Sequence, residues 1–175
     1  VIAHEIGHFL NLDHSLLNQQ FAGNGIEADD IYLPTMFPLF VDDEEQLATL
    51  HSDDQAAYLD IYTATGAGIS GSVTAQGDPY QGVEVVLRKS DDPFGTSYST
   101  YSGGRYFPCN AGSTCDPCNS ACNPGHPVTE GQYQIRSLIP GDYRVCIKQV
   151  DTSPSARGVA GPLAEPTVMP GPEEC

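Results

Sequence analysis

Hydrophobic and polar positions change their spacing once along this chain. From Val1 to about Asn11, Ile2, Ile6 and Phe9 recur at helical intervals and predict an amphipathic helix with one apolar stripe. Leu16 to Phe40 has no such period. Gly23, Gly25, Pro34 and Pro38 punctuate it, which predicts a long loop region. A second helix is predicted from about Asp53 to Tyr62, with Ala56, Leu59 and Tyr62 turned inward. Ser52 suits its N-cap, and Gln55 completes an S-x-x-Q capping box.

From Gly66 onward the period shortens to two. Val83, Val85 and Leu87 alternate with Glu84, Val86 and Arg88, and Tyr143, Val145 and Ile147 alternate with Arg144, Cys146 and Lys148. Strands are predicted at Ile69–Thr74, Gly82–Lys89, Ser97–Ser102, Gly131–Arg136 and Asp142–Val150. Short strands between turn residues suggest a small antiparallel β-sandwich. A Cys/Gly/Pro-rich insertion without periodicity spans about 107–128, and residues 152–175 read as a Pro/Gly-rich linker or an incomplete next segment. The expected organisation is a helical part over 1–65 and a sandwich over 66–151.

Composition narrows the function classes. A net charge of -16 over 175 residues, from 23 acidic and 7 basic side chains, argues against nucleic acid, whose phosphates would be repelled. It suits a soluble, self-repelling surface. No stretch approaches the roughly 20 apolar residues of a membrane helix. Six cysteines in a Gly/Pro-rich chain suggest disulfides and an oxidising compartment. The chain opens inside a helical pattern, which reads as a piece of a longer protein.

The informative segment is His4-Glu5-Ile6-Gly7-His8-Phe9-Leu10-Asn11-Leu12-Asp13-His14. Residues four apart share a helix face, so His4 and His8 present two imidazoles to one metal. Glu5 lies about 100° round the helix from His4 and flanks the metal, where it can hold a water. The chain must leave the helix and turn near Asn11 for His14 to supply a third nitrogen. Three neutral nitrogens and one water make an open tetrahedral zinc site.

This segment resembles the metzincin signature H-E-x-x-H-x-x-G-x-x-H. Asn11 stands where the family has a glycine in the left-handed conformation. Asn tolerates that conformation best among other residues, at about 1 kcal/mol of strain. Leu33-Pro34-Thr35-Met36-Phe37-Pro38 resembles the Met-turn, whose methionine, here Met36, lies beneath the zinc histidines. Ser15 after His14, and the run Leu50-His51-Ser52-Asp53-Asp54-Gln55, are similar to the matrixin branch. The resemblance covers about residues 1–62. It implies an α+β multidomain fragment, in which a helical zinc-binding lower subdomain of a metzincin precedes the sandwich. It also implies one catalytic Zn2+, held by His4, His8 and His14. Glu5 would be the general base, then acid, as zinc-bound water attacks a peptide bond in a protein or peptide substrate. Secretion is implied as well. Without the upper wall of the cleft, the chain by itself is expected to cleave poorly and to expose Ile2, Ile6 and Phe9.

Residues 68–150, apart from the insertion, resemble the carboxypeptidase regulatory-like domain, a prealbumin-like sandwich. Its best mark is Leu138-Ile139-Pro140-Gly141-Asp142-Tyr143, a turn feeding a strand with Tyr143 inward. That module is a spacer or interaction domain without catalytic residues.

Plainer readings stand beside these. Met36 alone would be a core methionine. His51 and His126 read as surface or loop residues. Asp42–Glu45 reads as a solvated acidic stretch, with a Ca2+ site as the lesser alternative. Cys109, Cys115, Cys118 and Cys122 read as disulfide partners, with a second zinc site as the alternative. At the level of function, the alternative to a zinc endopeptidase is a non-enzymatic adhesion or cell-surface protein carrying a relic peptidase domain. The intact Glu5 argues for the enzyme, because a relic is free to lose its base.

Overall fold

The structure is a computed structural model, which describes residues 2–22, 24–38, 49–63, 66–80, 83–103, 131–148 and 173–175. The acidic run Asp42–Glu45, the insertion with its four cysteines, His126 and most of the segment after Asp151 lie outside those residues.

Helix α1 spans Ile2–Phe9. It stops where Asn11 enters the left-handed region at φ 64°, and the Asn11 and Leu12 amides fold back onto the His8 and Gly7 carbonyls. A left-handed residue reverses the chain at a helix end and satisfies the last carbonyls. Helix α2 spans Ser52–Tyr62. Its N-cap is His51, one residue before the expected Ser52. The His51 ring accepts the Asp53 amide while the Asp54 carboxylate accepts the His51 amide, so the box is His51 with Asp54. Gln55 instead donates to the Leu50 carbonyl. His51 is therefore buried, against the surface position expected for it. Of the expected inward face only Ala56 is buried; Leu59 and Tyr62 are 39% and 52% exposed. The other buried positions fall in the first turn, at Asp53 and Asp54.

Seven strands follow among the described residues: β1 Ile69–Ser72, β2 Thr74–Ala75, β3 Asp78–Pro79, β4 Glu84–Lys89, β5 Asp92–Tyr101, β6 Gln132–Ile135 and β7 Tyr143–Lys148. They form a two-stranded sheet of β1 and β6, a two-stranded sheet of β2 and β3, and a three-stranded sheet in the order β5-β4-β7. The β2–β3 hairpin pairs Thr74 with Pro79 and Ala75 with Asp78. Gln76 and Gly77, with φ 54° and 96°, make the tight turn, because two positive φ values match the twist of the flanking strands. β5 begins at Asp92, not at Ser97. The polar start is held extended because the Pro93 carbonyl accepts Arg88 Nη1 and Phe94 packs edge-on against Phe21, centroids 5.0 Å apart.

The expectation of a helical zinc-binding subdomain followed by a β-sandwich is corrected here. Among the described residues strand outweighs helix, and the sheets have two, two and three strands. Residues 1–69 do not stand apart. They share one compact unit with Val86–Ser99 and Ile135–Cys146, while Ser70–Val85, Thr100–Gln134 and Ile147–Cys175 form the other. The physical reason lies in the first unit's core. Ala56 of α2 is buried in one cluster with Leu87, Tyr98, Ile135 and Leu138, against which Ile69 and Tyr143 pack. Leu17 joins Val86 and Cys146 in another. Two helices of 8 and 11 residues have too little apolar surface to close a core alone, and they borrow strands for it.

In the second unit, Ser102 is the organising residue. Its hydroxyl donates to the Tyr80 carbonyl and accepts the Val83 amide. Ile147 pairs antiparallel with Glu174.

Candidate metal centre

His4 and His8 lie one turn apart on α1, and His14 returns to them after the turn at Asn11. His4 Nδ1 sits 2.7 Å from the Thr35 carbonyl and His8 Nδ1 3.0 Å from the Leu12 carbonyl. A carbonyl only accepts, so each Nδ1 bears the ring proton and each Nε2 bears the lone pair. His8 Nε2 lies 3.1 Å from His4 Nε2 and 3.1 Å from His14 Nε2. The three ligand atoms fall within 4.8 Å of one another.

Lone pairs brought this close repel unless a cation sits among them. Two nitrogens about 2.0–2.1 Å from one zinc at the tetrahedral angle lie about 3.3 Å apart, close to the separation seen. The rings do not form an aromatic stack, since His8 stands at 85° and 81° to its two partners. Soft neutral nitrogens in threes suit zinc over magnesium or calcium, which take oxygen. The residues present thus fit a zinc ion. Burial, then the neighbouring His8 and His4, push the His14 pKa below its ordinary value, which keeps that ring neutral. Glu5 is exposed on α1, one residue past His4, and its charge acts on His14 in the opposite sense.

Met36 lies in a tight turn closed by the Phe37 amide on the Pro34 carbonyl. Its side chain is buried against Gly7, where a Cβ would meet Met36 Sδ at 2.2 Å. The glycine between His4 and His8 is a notch for the thioether. The Met36 carbonyl accepts the Ser15 amide, so the same residue holds α1 and the backbone beyond His14.

Hydrogen bonds from Thr35, Asp54 and Asp53 fix this floor. Thr35 is held three ways: its amide donates to Asp54 Oδ2 at 2.8 Å, its hydroxyl to the Thr49 carbonyl, and its carbonyl takes the His4 ring proton. Asp54 also accepts the Met36 and His51 amides. Burial, then the charge of Asp53, push Asp54 up to about 6 despite those donors. Asp53 accepts the Ser15 hydroxyl at 2.6 Å and the Ser99 amide at 2.7 Å, and burial raises its pKa as well. Such outer partners set ligand orientation and tautomer.

The structure places the five residues singled out for the site as follows. His4, His8 and His14 converge, Glu5 stands on the same helix, and Met36 lies beneath. Thr35, Thr49, Gly7 and Ser99 carried no role in the sequence reading. Asp53 and Asp54 entered it only as a likeness, because an acidic pair in a helix's first turn is ordinarily solvated. A scan against family models and searches of curated proteins and of solved structures find no match to this chain.

Proposed function

We propose that this chain carries the zinc centre of a metal-dependent endopeptidase. The supporting observation is the convergence of three histidine Nε2 atoms whose Nδ1 partners, at His4 and His8, are committed to carbonyls. Zinc held by His4, His8 and His14 would supply Lewis acidity and lower the pKa of a water bound to it toward neutrality. Glu5 takes the proton of the attacking water on its carboxylate. It then hands that proton to the leaving amine nitrogen, so peptide and water become a carboxylic acid and an amine. His4 is kept in the ligating tautomer by Thr35, and His8 by the Leu12 carbonyl. Met36 holds no proton and acts by packing.

The test is zinc content per chain for the wild type, His14→Ala and Glu5→Gln. One zinc in the wild type, largely lost in His14→Ala and kept in Glu5→Gln, supports the reading. A wild type without zinc, or zinc that survives His14→Ala, overturns it. In the intact enzyme, Glu5→Gln should lower peptide hydrolysis by about 10²–10⁴-fold at unchanged metal content.

A further inference from the structure

Resting on the reading of the histidine triad as a metal centre, we infer that β5 belongs to the framework of that centre, with Ser99 as a positioning residue for His14. β5 lies at the edge of the β5-β4-β7 sheet. Along a strand, alternate residues turn their amides and carbonyls to the same side. The outward groups of β5 at Gly95, Ser97 and Ser99 meet the first turn of α2. Ser52 Oγ lies within reach of the Gly95 and Ser97 carbonyls, at 3.3 and 2.9 Å, and accepts the Ser97 amide at 3.1 Å. The Ser99 amide donates to Asp53 Oδ1 at 2.7 Å and its hydroxyl to Asp53 Oδ2 at 3.2 Å. Two side chains of α2 thus take the place of a neighbouring strand.

The path continues to the ligands. Asp53 Oδ2 receives the Ser15 hydroxyl, and Ser15 follows His14 directly. The Ser15 amide is fixed by the Met36 carbonyl. His14 therefore leaves a backbone that is held at Ser15 from two sides, by the Met36 turn and, through Asp53, by β5. Two further ties join the same elements. His51 Nε2 donates to the Phe94 carbonyl at 3.0 Å. Asn18, itself left-handed at φ 62°, donates to the Phe94 and Tyr32 carbonyls and accepts Arg88 Nη1 at 2.8 Å. The strand is then no passive spacer. It sets the orientation of a buried carboxylate, and that carboxylate sets the loop bearing the third ligand.

The experiment uses the full chain and metal alone. Zinc affinity is measured by chelator competition, and the ligand geometry by the visible spectrum of the Co2+-substituted form. Ser99→Ala removes the hydroxyl, Ser99→Thr keeps it, and Ser15→Ala breaks the same path at its other end. Thr96→Ala alters β5 at a hydroxyl that bonds only Asp92, at the exposed start of the strand. Ser99→Ala is expected to weaken zinc binding about tenfold and to shift the cobalt bands, at the low end of the 10–100-fold range for outer-shell partners. Ser99→Thr and Thr96→Ala should match the wild type. Ser15→Ala and Ser99→Ala combined should cost less than the sum of the two, because they cut one path. Wild-type affinity and spectrum in Ser99→Ala, or an equal loss in Ser99→Thr, overturns the role of β5 and leaves the triad standing. A wild type that binds neither metal overturns both.

Discussion

Replacing Gly7 by alanine inside α1 ought to help, since helical glycine costs about 1 kcal/mol relative to alanine. The notch beside Met36 reverses that sign. A Cβ on Gly7 would lie 2.2 Å from Met36 Sδ, where ordinary contact begins at 3.4 Å, so the thioether must retreat by about 1.2 Å. Met36 is 2% exposed and its backbone is pinned by Asp54 and Ser15, which leaves little room to retreat. Overpacking of this kind costs about 1–3 kcal/mol, so Gly7→Ala should destabilise by a net of up to roughly 2 kcal/mol. Met36→Ala alone should cost about 2–5 kcal/mol through its cavity. In that background the clash is gone, and Gly7→Ala should become stabilising by up to about 1 kcal/mol. Chemical unfolding of the four proteins closes the cycle, and chelator competition follows zinc affinity in parallel. A Gly7→Ala effect of the same sign and size in both backgrounds would refute the contact, and with it the account of Met36 as the floor of α1.

Asp54→Ala orphans three buried amides, at Thr35, Met36 and His51. At about 1–3 kcal/mol each, and with relief from burying the charge set against that, a net loss of about 2–4 kcal/mol is expected in denaturant unfolding. The raised pKa of Asp54 gives a pH signature. An acid held at about 6 when folded, against 3.8 ordinarily, binds its proton more tightly in the native state. Its favourable contribution is complete below about 4 and is lost as pH rises through about 6. The stability of the metal-free wild type minus that of Asp54→Asn should therefore fall over that window, and a flat difference would contradict the burial of this carboxylate. At Asn11, φ 64° predicts that Asn11→Ala is less stable than Asn11→Gly by about 1 kcal/mol, as unfolding midpoints will show.

The convergence of the three histidines was legible because it is local. Helical spacing brings His4 to His8, and one left-handed residue brings His14 back, all within eleven residues. The supporting shell is non-local and was not legible. Nothing in Asp53-Asp54 announces burial, since the same pair at a solvated helix start would look identical. The capping box was placed one residue late because His51 is a poorer cap by type than Ser52, and tertiary demand from Ser97 took the serine hydroxyl away. The β2–β3 hairpin carries no clear sequence signal, because Gln76-Gly77 is a weak turn pair and its strands have two residues each. Spacing starts β5 late because Asp92-Pro93-Phe94-Gly95 has loop composition and is extended only through Arg88 and Phe21. The expected two-part architecture failed for a related reason. Spacing tells which residues share a face, and it does not tell which distant strand will complete a small helix's core.

The edge of β5 has one more consequence. Amides in an open strand edge are templates on which a second chain can add a strand, the first step toward aggregates. Here the amides of Ser97 and Ser99 are occupied by Ser52 and Asp53, from the helix whose cap also steadies the metal floor. The groups proposed to position His14 are thus the ones that keep this edge from recruiting its neighbours. Damage to the first turn of α2 should show itself as self-association as readily as lost metal.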